Sequence, residues 1–171
     1  DHDLAFASIV ALNEKGAILH YEGKRKVGNG AVLLIDAGAQ VRGYAADITR
    51  TVAAPRCDSR FAALVAGMEK IELQLCDLVK PKMPYGDLHH QGHLLIAGLL
   101  KESGILHAAP EEAVEKGLSR PFFPHGLGHH LGIQVHDVAG RQGTPDGTPA
   151  PPPPQHPTLR TTRAIDAGGA S

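Results

Sequence analysis

The stretch that most limits how this chain can fold is "AVLLIDAGAQVRGYAADITRTVA", residues 31–53. Two runs of strand-forming residues flank the turn "QVRG", which commits the chain to β-structure folding back on itself. Each run carries an aspartate, Asp36 at the end of the first and Asp47 inside the second. A carboxylate among strand formers is costly unless a hydrogen bond or a positive charge meets it. Pairing as a hairpin through residues 38–43 predicts that the two carboxylates lie across from each other. Two readings stay open from spacing: each aspartate caps a turn beside its nearby glycine, or the pair holds a cation between two groups that otherwise repel.

Upstream, "FASIVALN" (6–13) and "GAILHY" (16–21) are expected to form another strand pair, punctuated by Glu14-Lys15-Gly16. Downstream the apolar period becomes helical. After "CDS", where Asp58 or Ser59 can cap, Phe61, Leu64, Val65, Met68, Ile71, Leu75 and Leu78 recur every three or four positions, and Pro81 and Pro84 end the run. A second helix is predicted from near Asp87 to a left-handed stop at Gly104, and a short third over "APEEAVEKG". The segment "GTPDGTPAPPPPQHPTLR", with four consecutive prolines, is expected as an extended surface loop, with an SH3-type ligand as the alternative.

Histidine is concentrated in "PHGLGHHLGIQVHDV", residues 124–138, which holds His125, His129, His130 and His136 among three glycines. Glycine lets the backbone approach closely enough for several imidazoles to converge. "VHD" (135–137) reads as strand alternation. Together with the strand aspartates, this points to a carboxylate-rich metal site, for manganese, cobalt or hydrolytic zinc rather than a thiolate zinc site. His89, His90 and His93 lie on the second helix with no glutamate placed as in HExxH; they read as a polar helix face, with metal binding as the alternative.

Composition excludes other classes. The 171 residues fit one domain able to bury a core without disulfides or metals. Net charge is −1 and aromatic residues are 4%; basic residues are scattered except for Lys24-Arg25-Lys26 and Arg160/Arg163, so no nucleic-acid or anionic-membrane footprint is present. Cys57 and Cys76 lie outside any CxxC spacing, and no run of eighteen apolar residues occurs. The expectation is a soluble, unexported, cytoplasmic protein with reduced thiols.

"LLIDAGAQVRGYAADITRT" followed by "PHGLGHHLGIQVHDVAG" resembles the catalytic domain of the proline peptidases, the Xaa-Pro dipeptidases (prolidases) and Xaa-Pro aminopeptidases. The match runs from "SIVALNEKGAILHY" to "LRTTR". The resemblance implies an α+β pita-bread fold, a curved antiparallel sheet backed by helices, with two divalent metal ions, usually manganese, on its concave face. It implies that Asp36 binds one metal, that Asp47 bridges both, and that His129 binds the other. His125, His136 and His20 match substrate-side and oxyanion-stabilising histidines, His130 has no assigned role, and Arg160 matches an arginine that meets the substrate carboxylate in the dipeptidases.

The implied activity is hydrolysis of the Xaa-Pro bond of a dipeptide by a metal-bridging hydroxide, in a protein that is commonly a homodimer. The same resemblance implies two further glutamate ligands, which fall beyond Ser171. Residues 1–171 are therefore expected to be a partial catalytic domain, lacking an N-terminal domain and the glutamate-bearing strands, and inactive alone. A non-catalytic peptide- or protein-binding module, or another enzyme of the fold such as a methionine aminopeptidase or creatinase-like hydrolase, are the alternatives.

Overall fold

A computed structural model describes residues 2–23, 28–144 and 146–168. The basic cluster Lys24-Arg25-Lys26 and the last three residues of "RAIDAGGAS" lie outside the described residues. The chain divides into two compact units, Asp1–Val65 with Leu131–Val135, and Ala66–His130 with His136–Ser171.

The first unit is built on antiparallel strands. β1 (His2–Leu4), β4 (Ala39–Val41) and β5 (Tyr44–Ala45) form one three-stranded sheet in the order β1-β4-β5; β2 (Ile9–Leu12), β3 (Val32–Ala37) and β6 (Ile48–Ala53) form another in the order β2-β3-β6. The turn between β4 and β5 falls on Arg42 and Gly43, with φ of 52° and 88°. Positive φ at both central residues is the primed-turn geometry that matches strand twist.

The predicted hairpin forms, but it is interrupted and its register differs from the expected one. Asp36 pairs with Thr49 and Ala37 with Ile48, so Asp47 lies two residues before the partner of Asp36 and outside both flanking strands. Gly38 accounts for the break. A Cβ there would stand 1.7 Å from the Ala46 carbonyl oxygen, so only glycine lets that carbonyl turn in.

The strand expected over 16–21 is absent. Residues Asn13–Ala17 form a 3-10 turn instead, and Asn13 and His20 both take left-handed φ, 56° and 55°. The Asn13 side-chain oxygen accepts the N–H groups of Ala31 and Val32, ending one ladder where another begins. β2 takes β3 as its partner, with Ile9 opposite Asp36.

The second unit is helical. α1 (Ser59–Leu78) crosses the division of the chain; Asp58 starts it, its carboxylate accepting the Arg60 N–H at 2.8 Å. α2 (Tyr85–Glu102) follows the proline-bounded connection and ends with Gly104 at φ 71°. α3 (Pro110–Glu115) has proline in its first turn and stops before Gly117 at φ 69°. The core of this unit is Ile71, Leu75, Leu88, Ile96, Leu100 and Phe123. Each such side chain contributes about 1.5–3 kcal/mol on burial.

Among its described residues the proline-rich segment has no helix or regular strand, as expected, yet it is not merely a solvated loop: Leu159 is buried and His156 reaches the buried histidines of α2. Beyond it the chain pairs with the α1–α2 connection, the Lys82 N–H donating to the Ile165 carbonyl and the Ile165 N–H to the Met83 carbonyl. "VHD" is not a strand either. The Asp137 N–H donates to the His130 carbonyl, and its carboxylate accepts the Ala139 N–H at 2.9 Å, starting the 3-10 turn Val138–Arg141.

Candidate functional site

In the first unit the sheet brings Asp36 and Asp47 together although they are not cross-strand partners. Burial raises the Asp36 carboxyl above the ordinary aspartate range; the Thr49 hydroxyl works against that rise, the Asp47 carboxylate adds to it by charge and hydrogen bonding, and His20 lowers it. Asp36 Oδ1 is buried and has no hydrogen-bond partner among the described residues. This aspartate is thus both desolvated and beside a like charge, two conditions that favour protonation or a cation. His20 stands on its left-handed turn, exposed and within electrostatic reach of Asp36.

In the second unit the glycines of the histidine stretch do what close approach requires. A Cβ on Gly126 would lie 3.0 Å from Leu159 Cα and 3.2 Å from the Arg160 amide nitrogen, and one on Gly128 would lie 2.5 Å from the Tyr85 hydroxyl. Gly140 holds the other side of the same strand of chain, its missing Cβ 2.9 Å from the Arg160 carbonyl oxygen. The Arg160 backbone is clamped between two glycines while the residue itself is exposed.

His129 and His136 meet edge to face, ring centroids 4.5 Å apart. His129 Nδ1 lies 3.0 Å from the His130 carbonyl, which can only accept, so Nδ1 carries the proton and Nε2 keeps its lone pair. That is the tautomer a ligand through Nε2 needs. His130, to which sequence reasoning gave no role, supplies the carbonyl that fixes this tautomer and also receives the Asp137 N–H. His125 Nδ1 likewise donates to the Gly126 carbonyl at 2.9 Å, and its ring packs edge to face on Phe123.

Two of the three histidines of α2 are not on a polar surface: His89 and His93 are each 2% exposed, while His90 faces solvent. The stripe Tyr85, His89, His93 and Ala97 runs beside Leu88, Gly92, Ile96 and Leu100, so the buried arc of α2 is wide enough to take in both. Burial pushes the His89 imidazole down to about 3 and that of His93 to about 4, neighbouring imidazoles adding to both and Arg120 to the second.

The chain matches the model of metallopeptidase family M24 over residues 1–161. It is 47% identical over 172 aligned residues to the Xaa-Pro dipeptidase of Pseudoalteromonas atlantica, covering 98% of this chain and 39% of that relative. With the Xaa-Pro dipeptidase of Marinobacter nauticus it is 49% identical over 166 residues, covering 95% of this chain and 37% of the relative.

Among solved structures, zinc-substituted Escherichia coli aminopeptidase P in complex with product is similar with a TM-score of 0.72 at 32% identity, over 78% of this chain and 31% of that one. Proline aminopeptidase P II from Yersinia pestis gives 0.75 at 35%, over 85% and 34%. These likenesses define the class: the fold is the α+β pita-bread fold of the proline peptidases, of which the chain covers a part. The chain belongs to metallopeptidase family M24 and spans less than two fifths of the length of the Xaa-Pro dipeptidases it matches.

Sequence reasoning missed Thr49, Ser119 and His156 as partners of site histidines and aspartates. Thr49 follows from the observed register, which differs from the one the aspartate spacing predicts. His156 was not recoverable from spacing, being 67 residues from its partner His89.

Proposed function

We propose that the intact protein is a metal-dependent Xaa-Pro dipeptidase, with Asp36, Asp47 and His129 as metal ligands, His20, His125 and His136 facing the substrate, and Arg160 binding its free carboxylate. The observation that carries this reading is the unpartnered, buried Asp36 oxygen beside a second carboxylate. Removing water from two such groups is unfavourable unless a cation balances them, so the donor set fits a divalent ion. Two bound ions supply Lewis acidity and a hydroxide nucleophile near neutral pH.

The remaining work falls to the chain's own groups. His129 offers Nε2 because its other nitrogen is held by the His130 carbonyl. His125, tied through Nδ1 to Gly126, leaves Nε2 to meet the substrate. Stabilising a developing oxyanion is commonly worth about 3 kcal/mol per donor. The Arg160 guanidinium suits a bidentate bond to a terminal carboxylate, which a dipeptide ending in proline presents next to the scissile bond. Proline's tertiary amide lacks an N–H, so the pocket recognises it by shape and by that carboxylate.

The resemblance supports manganese as the metal, a homodimer, and a cytoplasmic location. Free Cys57 and Cys76 agree with a reducing compartment, and no helix among the described residues is long and apolar enough to cross a membrane. Residues 1–171 carry three of the proposed ligands, and that stretch alone is inactive on this reading.

The deciding experiment strips the intact protein with a chelator, restores manganese, cobalt or zinc separately, and compares Xaa-Pro dipeptides with Xaa-Pro-containing tripeptides. Metal-restored cleavage of dipeptides, lost in Asp47→Ala, is the expected result. Turnover without metal, or preference for tripeptides, overturns the assignment.

A further inference from the structure

Beside His125, the second unit holds three further imidazoles that the proposed peptidase reaction does not use. His89 and His93 sit one turn apart on α2, and His156 arrives from the proline-rich segment. Their ring centroids are 4.7 Å (His89–His93), 4.5 Å (His89–His156) and 5.3 Å (His93–His156) apart. One nitrogen from each lies within 4.8 Å of the other two.

We propose that His89, His93 and His156 form a second metal-binding site, a three-histidine site for a zinc-class divalent ion, separate from the carboxylate site of the peptidase reaction. Ligand spacing, an oriented ring and an adjoining cavity support it. The His89 Nε2 to His156 Nδ1 distance is 3.2 Å, close to the edge of a tetrahedron with metal–nitrogen bonds of about 2.0–2.1 Å. His156 comes from a segment outside any helix or strand, while α2 fixes the other two one helical turn apart.

His93 Nδ1 is bonded to the buried Ser119 hydroxyl at 2.9 Å, which orients the ring and leaves Nε2 as its other nitrogen. That is the outer-shell arrangement metal-bound histidines use. His89 Nδ1 is buried without a partner among the described residues, and Nε2 is the nitrogen of that ring turned toward His156.

The surroundings agree with a three-coordinate protein site that keeps one position open. A cavity of about 220 Å³ is lined by the three histidines together with Phe123, Arg120 and His125. A fourth ligand can enter from it, and the Arg120 guanidinium favours one that is anionic, such as hydroxide, a carboxylate or inorganic phosphate. The depressed basicity of His89 and His93 keeps both rings neutral near pH 7, the form that ligates.

The test uses the intact protein with Asp36→Asn and Asp47→Asn introduced together, so that the carboxylate site is silent, stripped by chelator and dialysed against micromolar zinc or cobalt. One zinc per chain by elemental analysis, and the intense visible bands of tetrahedral cobalt, are expected. His156→Gln should weaken that binding at least tenfold with the circular dichroism unchanged, and Ser119→Ala about 10- to 100-fold.

Should the double variant not fold, wild type and His156→Gln are compared directly, and the zinc count falls by one per chain. A folded double variant that retains no zinc, or a His156→Gln protein that binds as wild type does, refutes the site and leaves the peptidase assignment untouched.

Discussion

Gly126 lies against Leu159 so closely that a Cβ on it would stand 3.0 Å from Leu159 Cα, with the Thr158 carbonyl oxygen equally near. The contact is backbone on backbone, so neither side can yield by turning a side chain. It links the histidine stretch to the residue before Arg160. Gly126→Ala is therefore expected to cost about 1–3 kcal/mol of stability through overpacking. It should also raise KM for dipeptides more than it lowers kcat, because Arg160 is displaced. Urea unfolding and steady-state kinetics check both, and an unchanged KM would separate Gly126 from substrate binding.

Gly38→Ala tests how Asp47 is placed. The added Cβ would meet the Ala46 carbonyl at 1.7 Å, a distance no rotamer change relieves. The expected outcome is loss of metal binding out of proportion to loss of helical signal, since the clash sits in the strand unit and on Ala46, the residue before Asp47. Equal loss of both would mean that the whole protein unfolds.

Asp36→Asn should separate stability from function. In the metal-free protein Asp36 is half-buried beside Asp47, its Oδ1 out of solvent, and the amide removes one of two repelling carboxyls. The variant is expected to be more stable than metal-free wild type by about 0.5–2 kcal/mol while losing activity, the usual cost of a strained functional site. A lower thermal midpoint than metal-free wild type would argue against that strain.

Acid should unfold the metal-free protein through His89 and His93. Their folded values, about 3 and about 4, lie below the ordinary 6.5, chiefly through burial. Between 6.5 and about 4 the unfolded chain takes up protons that the folded one refuses, so stability present near neutral pH is lost as the pH falls through that window. His93→Gln should flatten the slope of the denaturation midpoint against pH over that range. A wild-type midpoint that is constant from pH 7 to 5 would contradict the burial of these rings as neutral groups.

On the proposed ligand set of Asp36, Asp47 and His129, residues 1–171 expressed alone should show no manganese-stimulated hydrolysis of Xaa-Pro dipeptides, because three ligands do not complete a two-metal site. Turnover by that polypeptide, its mass verified, would refute the requirement for further ligands.

Local chemistry made much of this readable from the residues. The helical spacing from Phe61 to Leu78, the Asp58 cap, the glycine stop at Gly104 and the Arg42-Gly43 turn are decided within a few positions, so the sequence by itself determined α1, α2, α3 and the β4–β5 turn. It determined the aspartate pair and the histidine stretch as chemistry worth examining, because carboxylates in strands and imidazoles among glycines have few inexpensive uses.

Tertiary structure decided the rest. The register that pairs Asp36 with Thr49 rests on the Ala46 carbonyl entering the space left by Gly38, a contact that hydrophobic alternation does not encode. The loss of strands over 16–21 and 135–137 rests on side chains and carbonyls, those of Asn13, Asp137 and His130, competing for the backbone. The burial of His89 and His93, and their meeting with His156, depended on how wide an arc of α2 the neighbouring segments cover. Helical period fixes which residues share a face, but the chain that packs against that face fixes where the face ends.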